Sequence, residues 1–202
     1  MNTGRTAQKT RTRRALVEAA RDLLAEGPSP SPTVEQAADA AGISRTTAYR
    51  YFPNQRALLV ATFPELDVES LLPDPAPEDP EERLEALTEA LTAVVIEHEP
   101  ELRMQLRLSL EPADGELPNL PYRTGRAIAW IEHALSPLAT RLSDAALHRL
   151  VLAIRTAVGI EALVWLTDIA GLSREQAVEQ MRWSARALLR SALADDSSGD
   201  DG

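Results

Sequence analysis

The sequence predicts an all-α protein of about nine helices, split into a small N-terminal headpiece and a larger helical domain. Three observations lead there. Apolar residues recur at helical spacing along most of the chain, and no alternating apolar–polar stretch marks a strand. Gly and Pro interrupt the first third at short intervals, whereas longer uninterrupted patterns fill the rest. The charge also changes along the chain. Residues 1–62 carry nine Lys+Arg against five Asp+Glu, a net +4, and the remaining 140 carry 12 against 26, a net −14. A basic head on an acidic body suits a nucleic-acid-binding module joined to a different one. Five of the nine positives (Arg5, Lys9, Arg11, Arg13 and Arg14) precede residue 15, so a solvated basic tail accounts for the split as well.

The bulk composition narrows the class. With 44% hydrophobic residues in 202, the chain can bury a sizeable core. It has no cysteine, which excludes disulfides and cysteine-ligated metals. No apolar run approaches a membrane span, and the basic N-terminus lacks the apolar stretch of a signal peptide. The expectation is a cytoplasmic protein without a membrane segment.

The elements follow in order. Leu16, Ala19, Ala20, Leu23 and Leu24 repeat at helical spacing, and Gly27 supplies a stop. "GPSPSP" (27–32) is a rigid connection. Thr33 opens "TVEQAADAAG" with Gln36 three residues on, a capping box, and Gly42 ends that helix. Ser44 caps a third helix that Pro53 closes after Phe52, and "NQRALLVATF" is a fourth, stopped by Pro64. The proline-rich, acidic stretch 63–80 reads as a linker or covered loop. Beyond it, Leu84, Leu87, Leu91, Val94 and Val95 make one stripe, and Leu102, Leu106 and Leu110 another. "EPADGELPNLP" (111–121) is a loop, and Ile128, Ile131, Ala134, Leu135, Leu138 and Leu142 mark the next helix. Residues 143–169 read as one long apolar helix and 173–194 as an amphipathic one. The domains expected are therefore 1–62, a linker 63–80, a helical domain 81–196 and a tail 197–202.

Two short helices joined by a Gly-containing turn, about 33–52, form a helix-turn-helix unit, whose second helix enters the DNA major groove. In that reading Ser44 caps the helix, and its first amides face a phosphate. Arg45, Thr46 and Thr47 stand at its leading end, within reach of base edges. Ala48 points inward, and Tyr49, Arg50 and Tyr51 flank the groove with groups suited to phosphate oxygens. Three of the chain's eight aromatics fall within positions 49–52. With polar tips beside arginines, they fit a phosphate-gripping surface better than a core.

"TVEQAADAAGISRTTAYRYFPNQRALL" resembles the N-terminal signature of the tetracycline-repressor (TetR) family. The likeness lies in its Thr, Ala-Gly, Ser, Tyr and Phe, at matching spacing over roughly residues 10–62. It implies a DNA-binding transcriptional regulator, a repressor that holds a palindromic double-stranded operator as a homodimer and is released by a small-molecule inducer. The DNA-contacting set is then Thr33, Ser44, Arg45, Thr46, Thr47, Tyr49, Arg50, Tyr51 and Arg56. The sequence departs from the pattern at Thr46, Ala48 and Gln55. Gln55 stands where a phosphate-contacting Lys is usual; the neighbouring Arg56 is a candidate substitute, though it points elsewhere on the helix.

By the same resemblance the last two helices, about 143–169 and 173–194, pair with a second copy. Small residues Ala153, Ala157, Gly159 and Ala162 permit close approach, and a helix apolar nearly all round must be buried on several sides. His98, Met104, Arg107, Tyr122, Arg126, Trp130, His133 and Trp165 are the candidate lining of a ligand pocket, mixing apolar bulk with polar handles. Each alone has a plainer reading as core residue or solvated charge. "EHEPE" (97–101) is an exposed helix end rather than a metal site, and no cofactor or metal is expected.

Two other classes stand beside this reading. An enzyme is disfavoured: no nucleotide loop, paired metal motif or cysteine nucleophile is present, and the three histidines fall in separate segments. A helical dimer that binds a ligand or protein but has lost DNA recognition is the alternative, motivated by Gln55 and the acidic body.

Overall fold

The computed structural model describes residues 3–26, 31–63, 68–110 and 126–198. In chain order the helices are α1 (Thr3–Ala25), α2 (Val34–Ala40), α3 (Arg45–Tyr51), α4 (Gln55–Ala61), α5 (Pro80–Glu97), α6 (Glu99–Leu110), α7 (Arg126–Leu135), α8 (Asp144–Ala157), α9 (Ile160–Val164) and α10 (Arg174–Ser198). A 3-10 turn, Ser136–Thr140, follows α7, and a π-helical turn, Trp165–Ile169, follows α9. Among the described residues there is no strand. The chain divides into two units, 1–65 with 100–111, and 66–99 with 112–202. Gly27, Pro64, the loop 111–121 and the last residues of the tail lie outside the described residues.

In the first unit α1 begins at Thr3, well before the apolar stripe that predicts it. Residues 5–15 contain neither Pro nor Gly, and Arg, Lys, Gln and Ala are good helix formers, so helix propagates through the basic segment. A polar stretch shows no stripe, which is why it read as a tail. Leu16, Val17 and Ala20 of α1 pack with Val34, Ala37 and Ala38 of α2, with Ala48 and Phe52, and with Leu58 of α4. Arg21 fastens α1 to the C-terminal end of α4. Its Nε donates to the Thr62 carbonyl at 2.7 Å and its Nη2 to that of Phe63 at 3.2 Å, a cation at the negative end of a helix.

Residues 100–110 of α6 belong to this unit, not to the larger domain expected from 81 onward. The buried face is Met104 and Leu108, while Leu110 is 76% exposed. Of the stripe expected through Leu102, Leu106 and Leu110, the first two are half-buried and the last is open, so it is not the main buried face. Met104 accepts a hydrogen bond from Ser31 Oγ at 3.6 Å, and Arg56 Nη2 donates to the Leu108 carbonyl at 3.3 Å. Both sets have i, i+4 spacing, so periodicity alone does not choose between them.

In the second unit each helix contributes an i, i+3 or i, i+4 ridge. Leu84, Leu87, Leu91 and Val95 come from α5, Trp130, Ile131, Ala134 and Leu135 from α7, and Leu150, Val151 and Ile154 from α8. Ala177, Met181, Ala185 and Leu189 come from α10. Asp79 caps α5 by accepting from the amides of Glu81 and Glu82 at 2.9 and 3.0 Å, with Pro80 at the first helical position. Glu85 of α5 accepts from Arg182 Nε and Arg186 Nη1 of α10, each at 2.9 Å. Burial pushes the Glu85 carboxyl up, but those two hydrogen bonds and the arginine charges outweigh it and hold its pKa below the ordinary value.

Two expectations are corrected in this unit. Residues 143–169 do not form one helix. The helix breaks at Val158 and Gly159, where the backbone adopts φ +156°, resumes as α9, and ends in the π-helical turn. Of the two readings of the segment 63–80, the described residues make the contacts of a covered loop rather than a linker. The Val68 carbonyl accepts from Trp130 Nε1 at 3.1 Å, Ser70 Oγ meets His133 Nδ1 at 3.0 Å, and the Pro77 carbonyl accepts from Arg83 Nη1 at 3.0 Å. Proline removes donors but leaves carbonyls free, and α5 and α7 supply the donors. No single described helix is long and apolar enough to cross a membrane.

Candidate nucleic-acid interface

The headpiece geometry begins at the caps. Thr33 Oγ1 accepts from the Gln36 amide at 3.2 Å while Gln36 Oε1 accepts from the Thr33 amide at 2.8 Å, the reciprocal capping box expected of this spacing. Gly42 takes φ +65° and turns the chain, a conformation costly for a residue with a Cβ. Ser44 Oγ then accepts from the Thr47 amide at 3.3 Å and donates to Thr47 Oγ1 at 2.8 Å. Asn54 repeats the device for α4, accepting from the Ala57 amide at 2.8 Å.

These caps fix α3 with one face inward. Ala48 is fully buried there, and Phe52, just past the helix, is 3% exposed. Arg45, Thr46, Tyr49 and Arg50 form the exposed face. The three aromatics thus occupy three environments. Tyr49 is exposed, Tyr51 is half-buried against the headpiece core, and Phe52 is core, with the Arg13 guanidinium 5.5 Å from its ring centroid. The cluster is one-third surface, because a helix carries successive residues around its axis rather than along one side.

The exposed groups of α3 have partners on α2. The Tyr49 hydroxyl donates to the Glu35 carboxylate, and Arg45 Nη2 lies 3.4 Å from Asp39 Oδ2. The hydrogen bond from Tyr49 holds the Glu35 carboxyl below its ordinary pKa, and the same bond raises that of the Tyr49 phenol.

The sequence and fold agree with known proteins at this point. A family model described as bacterial regulatory proteins, tetR family, matches residues 16–62, the span that holds all three caps and the exposed face of α3. Over that span the chain carries a TetR-family N-terminal domain. Its fold is similar to that of a TetR transcriptional regulator from Rhodococcus sp. RHA1, with a TM-score of 0.54 over 90% of this chain and 97% of that one, at 18% identity. No curated protein matches the chain.

In this TetR-family headpiece the expected contact residues separate. Arg45, Thr46, Tyr49 and Arg50 share the open face of α3. The side chains of Thr33, Ser44 and Thr47 are engaged in capping. Arg56 does not join them, since its guanidinium turns to the Leu108 carbonyl of α6. Gln55 does not substitute for a phosphate-binding lysine either: its amide donates to the carbonyls of Ser31 and Pro32 at 2.7 and 3.3 Å and anchors the chain entering α2.

The expected pocket lining does not converge. Met104 and Arg107 lie on α6 in the first unit, and Tyr122 is outside the described residues. Trp130 is buried with its indole N–H on the Val68 carbonyl, and His133 is exposed beside Ser70, so residues 68–70 occupy the face they share. Trp165 is 59% exposed in the π-helical turn, hence on the outside. His98, half-buried at the end of α5, and Arg126 at the start of α7 are the members left in the second unit. Among the described residues no group of three or more His, Cys, Asp or Glu is placed to hold a metal ion.

Four residues were missed by reading the sequence. Glu35 and Asp39 looked like ordinary charges on a short helix. Their signal was the matched i, i+4 spacing with Arg45 and Tyr49. Arg83 and Arg21, which bind helix-end carbonyls more than 40 positions away, leave no local signal.

Proposed function

We propose that this TetR-family regulator is a repressor. It binds a palindromic operator as a homodimer and is released when a small molecule occupies its helical domain. The observation that carries the DNA reading is the face of α3. There Arg45, Thr46, Tyr49 and Arg50 are open to solvent, while Ala48 behind them is fully buried, so these four can approach a groove only together. Arg45 and Thr46, at the leading end, contact base edges, and Tyr49 and Arg50 contact phosphates. Thr33, Ser44 and Thr47 set the presentation of the helix through their caps.

The dimer reading is supported by apolar residues left open at the C-terminal end of the chain. Leu152, Trp165, Ile169 and Trp183, from α8, the π-helical turn and α10, are 40, 59, 72 and 55% exposed. Large apolar side chains on successive elements suit a second copy better than water. The inducer acts by favouring a conformation with the wrong headpiece spacing, and shifts the balance only by its differential affinity for the two states. The protein acts by binding rather than turnover, in the cytoplasm.

Selection of bound sequences from a random duplex pool tests this. An inverted repeat with half-sites about 34–36 Å apart is the expected result. A folded dimer that enriches no motif would instead support a helical sensor without specific DNA recognition.

A further inference from the structure

Two residues of α2 act on this interface from within the headpiece. Glu35 and Asp39 are four apart in α2, and Arg45 and Tyr49 are four apart in α3, so each pair shares a helix face. The fold joins them crosswise, Tyr49 to Glu35 and Arg45 to Asp39. The groups held in this way are two of the four on the open face of α3. A phenol has one proton to donate, and here a carboxylate takes it. The guanidinium keeps other donors, but its charge is offset by the acid beside it.

We propose that Glu35 and Asp39 restrain DNA binding by competing with DNA for Tyr49 and Arg45. Non-specific duplex is then held weakly, and both groups are committed only where a sequence presents acceptors in the right places. The inference rests on α3 being the DNA-contacting helix, but not on the operator, the dimer or the inducer. Affinity for non-specific DNA is set by the phosphates a protein neutralises. Two of the five acids among residues 1–62 stand on this one surface. Glu35 must release the Tyr49 proton before that hydroxyl can donate to a phosphate, and Asp39 offsets the Arg45 charge that would otherwise go to one. The Arg45–Asp39 pair is 66 and 65% exposed, and such pairs are weak enough to exchange. The arrangement is therefore a threshold rather than a lock. It raises discrimination by weakening the wrong complex.

The test measures binding of the full chain to a duplex of random sequence across a range of salt. Wild type is compared with Glu35→Ala and Asp39→Ala, and each of these with its partner also removed, Tyr49→Phe or Arg45→Ala. Each acid variant should bind on the order of fivefold tighter, and Asp39→Ala, which frees a guanidinium rather than a neutral phenol, should also steepen the log–log salt slope by about 0.9 for the additional phosphate neutralised. Both effects should vanish in the Tyr49→Phe and Arg45→Ala backgrounds. Unchanged affinity and slope would overturn the proposal. So would tighter binding that persists without Tyr49 and Arg45, which would be general repulsion of DNA by the acids. Glu35→Gln and Asp39→Asn, checked for helix content, keep the test valid if alanine disturbs α2. Should operator selection enrich nothing while random duplex is bound more tightly by the acid variants, the operator reading fails and the restraint stands. An enriched motif with unaltered random-duplex affinity would mean the reverse.

Discussion

Arg155 and Glu161 meet across the break at Gly159, the guanidinium donating to both carboxylate oxygens at 3.1 Å. A Cβ added at Gly159 would lie 2.5 Å from Arg155 Nη1, so the pair and a larger residue at 159 exclude each other. Gly159→Ala should lower stability by about 1 kcal/mol, because the obstructing atom is the movable end of a side chain. The urea midpoint of unfolding measures it. Repeating the change in an Arg155→Ala background separates two causes. A cost that disappears there is the displaced ion pair, and one that remains belongs to the backbone at φ +156°.

Arg83 presents a second dependence on one side chain. Its guanidinium, 8% exposed, donates to the carbonyls of Ala134 and His133 at 2.8 Å each, at the C-terminal end of α7, and to Pro77 at 3.0 Å. Truncation leaves buried acceptors without donors. Arg83→Ala should cost about 3 kcal/mol, and Arg83→Lys less, since an ammonium can satisfy only some of three divergent carbonyls. Thermal unfolding followed by helix signal tests this. A loss no larger than that of an exposed arginine would show that water replaces the guanidinium.

How legible this fold was depended on the range of the interactions that decide it. Thr33, Gln36 and Ser44 act within three residues of themselves, and their caps were visible as spacing. The packing of α6 was not. Met104 and Leu108 win over Leu102 and Leu106 because Ser31 and Arg56, far earlier in the chain, stand on that side. The candidate interface divides in the same way. Arg45, Tyr49 and inward Ala48 follow from helical geometry, but the acids that hold Arg45 and Tyr49 come from the preceding helix across a turn. The pocket residues were chosen by chemical type and by shared helix faces, neither of which shows what a face packs against. Trp130 shows the weakness of those criteria, since its indole N–H is engaged by a backbone carbonyl of the segment read as a linker or covered loop.

The Tyr49–Glu35 bond should leave a mark on titration. Tyr49 has its pKa raised above the ordinary 10.0 by the hydrogen bond to Glu35, so the stabilisation is complete below pH 10 and is lost as pH rises through the raised value. Glu35 is lowered below 4.5, so its share is complete above that pH and lost as pH falls through the lowered value. With Tyr51 and Tyr122 replaced by Phe, phenolate absorbance reports Tyr49 alone. Its midpoint should fall toward the ordinary value in Glu35→Ala, and an unmoved midpoint would mean that the bond is not held in solution.

Trp165 and Trp183 supply the test of assembly. They are two of the chain's three tryptophans, and the third, Trp130, is only 4% exposed. In a single copy their indoles face water, so a dimer that covers them should shift emission to shorter wavelength, and dilution should reverse the shift. Trp165→Glu combined with Trp183→Glu places two carboxylates in that surface from each copy, and burying them unpaired is costly. Light scattering should then report a monomer where wild type gives a dimer, with the helix signal unchanged. Because two headpieces must reach successive major-groove faces together, the same variant should lose affinity for a full inverted repeat while keeping its weak affinity for a half-site. A variant that stays dimeric would move the interface away from α10 and the π-helical turn. A wild type that is monomeric at all concentrations would remove the geometric reason for a palindromic operator.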